Sequence, residues 1–115
     1  VIKEIPHVKL NGHSKKRIFN NIHLTFMGVN GEDLIIKLDE HGIAASTGSA
    51  CSVHTQKASH VLKAMGFNHE QITGSLRISF GYTNTLVEVE QTVESLKKVV
   101  SELRSVSPYK TKYNF

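Results

Sequence analysis

The chain has 115 residues, one cysteine, and 14 basic against 10 acidic side chains, a formal net charge of +4. That length supports one domain, since a chain of this size buries roughly two-thirds of its unfolded surface. At 39% hydrophobic residues it contains no apolar run near the roughly 20 residues of a membrane span, and no basic-then-apolar opening segment reads as a signal peptide. A lone cysteine excludes an internal disulfide and a multi-cysteine metal site, and it fits a reducing, cytoplasmic compartment.

The basic residues are scattered. His13 to Arg17 forms the densest group, with Lys110 and Lys112 near the end. Nucleic-acid binders interleave aromatic residues with such patches, and here aromatics are sparse. The group reads as a solvated loop, with an acidic protein partner or a phosphate as the alternative.

Two period-2 runs come first. Val8 and Leu10 alternate with Lys9 and Asn11; Ile22, Leu24 and Phe26 alternate with His23 and Thr25. Both predict half-buried strands. Gly31-Glu32-Asp33 then opens a helix with acidic residues where the dipole favours them, Leu34, Ile35 and Leu38 facing inward and Gly42 as the cap. A short strand is expected over Ile43 to Ala45, followed by the loop Ser46-Thr47-Gly48-Ser49-Ala50-Cys51-Ser52, whose small residues let its backbone approach a ligand. Ser59 to Met65 predicts a short helix ended by Gly66, and His69 to Ile72 another turn. Leu76 to Phe80 predicts a strand with Arg77 and Ser79 on its polar face. Leu86, Val89, Val93, Leu96, Val100 and Leu103 form one stripe of a long helix, begun by a Thr85/Glu88 capping box and stopped by Pro108. The fold class is α+β: a small, mostly antiparallel sheet covered by helices.

Two residues carry candidate chemistry. Cys51 by default is a small buried hydrophobe, but a Gly/Ser loop offers it little apolar cover and makes it accessible, as a reactive thiol must be. His54 and His60 follow it closely, and either could lower its pKa or shuttle a proton. His7, His13, His23, His41 and His69 stand at no metal-ligand spacing. Arg77 either pairs with a structural carboxylate or grips a substrate carboxylate with its planar fork.

The string Gly42-Ile-Ala-Ala-Ser-Thr-Gly-Ser-Ala-Cys51-Ser resembles the active-site loop of NifS-like cysteine desulfurases. The similarity continues through Ser59-His-Val-Leu-Lys-Ala-Met-Gly66 and Ser75-Leu-Arg-Ile-Ser-Phe-Gly81, and takes in Pro6 to Gly12 and Asn21 to Phe26. The resemblance implies the C-terminal small domain of a class V aminotransferase-like, pyridoxal-phosphate-dependent enzyme, spanning residues 1–115. It implies that Cys51 is the nucleophile that becomes a persulfide and that Arg77 binds the carboxylate of L-cysteine. Further implications are an L-alanine product, sulfur delivery to an iron–sulfur scaffold or other acceptor protein, and a homodimeric full enzyme. Cys51 is also implied as a shared ligand of a [2Fe-2S] cluster in a scaffold complex.

Three departures from the family pattern stand out. Lys57-Ala58 replaces a common proline, Tyr82 stands where arginine is frequent, and the cofactor lysine's Ser-x-His-Lys motif is missing. The large cofactor-binding domain is therefore expected to lie outside this chain, which opens on Val1, and the chain alone is expected to be inactive. The alternative function is a stand-alone persulfide carrier or partner-docking domain.

Overall fold

The computed structural model describes residues 1–47 and 60–115. Three strands form one antiparallel sheet in the order β1 (Val8–Leu10), β2 (Asn21–Phe26), β3 (Ser75–Ser79). The register pairs Leu10 with Leu24, Leu24 with Leu76, and Ile22 with Ile78, so the apolar half of each alternating run falls on one face. That face packs beneath α1 (Gly31–Glu40) and α4 (Leu86–Ser105). Leu34 and Leu38 from the first helix, and Leu96, Val99 and Val100 from the second, join Leu24, Phe26, Leu76 and Ile78 in one buried core. The expected α+β arrangement is the one observed.

Local chemistry accounts for the helix limits. Asn30 caps α1 by accepting from the Glu32 N–H, and the chain leaves the helix through Gly42 at φ +74°, a conformation that favours glycine. Thr85 and Glu88 form the predicted capping box of α4. The two short helices α2 (His60–Ala64) and α3 (His69–Thr73) follow the predicted turns, and α3 carries a further capping box between Asn68 and Gln71.

One expectation is corrected. Ile43 to Ala45 is not a strand: the segment makes a single bridge, one residue later, between Ser46 and Arg77. The apolar stripe of α4 is buried over only part of its length: Leu86 is 74% exposed whereas Leu96 is fully buried. The early turns of the helix run past the part that packs on α1 and the sheet. A last helix, α5 (Lys110–Tyr113), forms beyond Pro108 where none was predicted.

Candidate functional site

The second face of the sheet is polar, and the site is built on it. The same register that buries the leucines places Asn21 opposite Ser79, His23 opposite Arg77, and Thr25 opposite Ser75. Directly opposed side chains on one face have Cβ atoms about 4.5–5.5 Å apart, so His23 and Arg77 are immediate neighbours. On the other side of β3, the Ser46 N–H donates to the Arg77 carbonyl at 3.1 Å, and the Arg77 N–H donates to the Ser46 carbonyl. The backbone of Arg77 is thus held between β2 and the segment that runs on toward Cys51.

Gly31 lets that arrangement close up. A Cβ at this position would lie 2.6 Å from the Ser75 carbonyl oxygen and 3.2 Å from the Thr47 side chain. The start of α1 therefore presses against both the start of β3 and the base of the cysteine segment in a way that only glycine permits. Cys51 and His54, together with the rest of residues 48–59, lie outside the described residues. His60 is exposed at the first position of α2.

Beside Arg77 runs a polar chain. Asn11, buried at the end of β1, donates from Nδ2 to His23 Nδ1 at 2.8 Å and to Thr25 Oγ1 at 2.9 Å. Thr25 Oγ1 lies 3.2 Å from Ser75 Oγ, which donates to the Gln71 carbonyl of α3 at 2.8 Å. An amide NH₂ can only donate, so His23 Nδ1 is the acceptor and the imidazole is in its neutral form. Burial, and then the nearby Arg77 and Arg17 cations, lower the His23 pKa below its ordinary value. Arg17 is itself held in the loop before β2 by the carbonyls of Asn11, His13 and Asn21.

Of the sequence-derived candidates, the structure brings Arg77 to the segment preceding Cys51. It also adds two residues that spacing did not single out, His23 and Asn11. His23 could have been found by pairing the polar positions of the two period-2 runs across an antiparallel register. Among the described residues, no three His, Cys, Asp or Glu side chains gather as a metal site, and no helix is long and apolar enough to cross a membrane.

Comparison with known proteins gives the family. The cysteine desulfurase IscS of Methanosarcina thermophila is 46% identical over 105 residues, covering 91% of this chain and 26% of that protein. Cysteine desulfurase IscS 1 of Archaeoglobus fulgidus is 44% identical over 107 residues, covering 93% of this chain and 28% of that protein. The chain spans about a quarter of the length of these curated relatives. A crystal structure of a NifS-like protein from Rickettsia africae superposes with a TM-score of 0.73 at 28% identity, over 86% of this chain and 25% of that one. The family model for class-V aminotransferases matches residues 1–92, which take in all three strands and the Ser46–Arg77 bridge; the chain belongs to the class-V aminotransferase family.

Proposed function

We propose that this chain is the C-terminal small domain of a cysteine desulfurase, residues 1–115, which works with a large cofactor-binding domain to convert L-cysteine to L-alanine. The observation that carries the reading is the Ser46–Arg77 bridge. It ties the strand bearing the candidate carboxylate-binding arginine to the segment that continues, five residues on, to the candidate nucleophile Cys51. Relatives named cysteine desulfurase, at up to 46% identity, support it.

In this reading the Arg77 guanidinium holds the substrate carboxylate through paired N–H donors, and the Cys51 thiolate attacks the substrate sulfur. A new S–S bond forms as the Cβ–S bond breaks. The electron pair stays on the carbon side, which takes up a proton and leaves as L-alanine, while Cys51 keeps the sulfur as a persulfide. Pyridoxal phosphate, the cofactor of the family, supplies the electron sink that makes this bond labile. In this reading the large domain, not this chain, holds the cofactor. The persulfide passes to an iron–sulfur scaffold or another acceptor protein, and Cys51 can share in ligating a [2Fe-2S] cluster there. A homodimer in the cytoplasm, where thiols stay reduced, completes the proposal.

The test is made in the full-length protein that carries this domain. Cys51→Ser should abolish sulfur release from L-cysteine, because a hydroxyl cannot accept sulfur as a persulfide. Arg77→Ala should weaken L-cysteine binding by roughly 2–5 kcal/mol, the cost of removing one partner of a desolvated charge pair. Near-normal turnover by the serine variant would refute Cys51 as the nucleophile. Unchanged substrate affinity in the alanine variant would leave Arg77 a structural residue.

A further inference from the structure

We infer that His23 is a positioning residue for Arg77, a neutral imidazole fixed beside the guanidinium so that its fork meets the substrate carboxylate in one orientation. The inference rests on the desulfurase reading above and adds to it a residue that the motif does not contain.

Three observations carry it. His23 and Arg77 are cross-strand partners on the same face of the sheet, so their side chains leave the sheet from adjacent positions. The imidazole is itself anchored: Asn11 is buried and donates to its Nδ1 at 2.8 Å, and the same amide is pinned to Thr25. Finally, that hydrogen bond uses the unprotonated Nδ1, so the ring confines a cation without adding a second charge beside it. The groups around the imidazole agree with this. Arg77 of β3 and Arg17 of the preceding loop both disfavour a proton on His23, Asn11 and Thr25 are uncharged, and the Lys9 ammonium on β1 lies 4.8 Å from the centre of the Phe67 ring. An arginine free to rotate pays the entropy of ordering its fork at each binding event, and a fixed neighbour reduces that cost.

Two measurements test the inference. In this chain, the His23 imidazole followed by NMR should titrate below the ordinary histidine value, and Arg77→Gln should move its pKa upward. In the full-length protein loaded with pyridoxal phosphate, His23→Ala should raise the KM for L-cysteine about three- to tenfold, the worth of roughly one hydrogen bond, with kcat nearly unchanged. His23→Gln should restore most of it, since its amide is neutral and its oxygen can accept from Asn11. An ordinary His23 pKa that ignores Arg77→Gln would overturn the pairing. A large KM effect of Arg77→Gln with none from His23→Ala would overturn the positioning role alone. No KM effect from Arg77→Gln would sink the desulfurase reading of the arginine, and this inference with it.

Discussion

The Arg104 guanidinium donates to three main-chain carbonyls: Pro6 at 2.7 Å, His7 at 3.1 Å and Met27 at 3.1 Å. It is 5% exposed and also lies over the Phe115 ring. One side chain near the end of α4 thereby fixes the chain just before β1 and just after β2. Arg104→Ala should cost about 2–4 kcal/mol in denaturant unfolding, because it strands several acceptors at once, and Arg104→Lys should recover only part of this. Nothing in the sequence marks this residue, since an arginine in the last turn of a helix reads as a solvated dipole partner. Arg77 was legible because it interrupts an apolar strand, but its neighbour His23 was visible only once the register was known. The His23 pKa is lowered on folding, so the unfolded chain binds the proton more readily. That contribution to stability is fully present above the unfolded value near 6.5 and is lost as pH falls through the lower folded value. Thermal unfolding should show a decline as pH falls below about 6.5 that His23→Gln flattens.

At the scale of elements, period and capping predicted all three strands and the two long helices, because both signals are local. What they missed depends on partners far away in the chain. Ile43 to Ala45 looks like a strand in composition, yet only Ser46 reaches β3. Helix α5 carries no apolar stripe; it is held instead by Glu70 of α3, which accepts from Lys112 at 2.8 Å and from the Tyr113 hydroxyl at 2.6 Å. Helix α4 offers a direct contrast within one stripe. Leu96→Ala should destabilise this chain by about 3 kcal/mol as a buried leucine lost from a packed core, whereas Leu86→Ala should change stability by less than about 0.5 kcal/mol. Equal losses at the two positions would mean that the early turns of α4 are covered. Gly31→Ala should also destabilise, by about 1–3 kcal/mol, since its methyl must displace the start of β3. The Thr47 contact carries that displacement toward the cysteine segment.

For the molecule as a whole, the sheet separates two tasks. Its apolar face builds the core, and its polar face, with Ser46 bridged to one edge, presents Arg77 and the start of the segment leading to Cys51. The α+β class was legible because alternation and helical period agree with each other along the chain. The candidate site was legible as a cysteine in a small-residue segment and an arginine on a polar strand face, while the Ser46 bridge and the places of His23 and Asn11 beside Arg77 required the three-dimensional register. If the cofactor is held by a separate large domain, as proposed, this chain mixed with pyridoxal phosphate and L-cysteine should form no alanine. The contribution proposed for it is the Cys51 thiol, and thiol exchange needs nothing more than a thiolate that can reach its partner. The most direct measurement is mass spectrometry of the Cys51 peptide after this chain has been mixed with a protein or small-molecule persulfide donor. The account predicts one added sulfur atom on Cys51, removable by reductant and missing in Cys51→Ser. A wild-type peptide that stays unmodified while the donor transfers its sulfur to a free thiol control would contradict it.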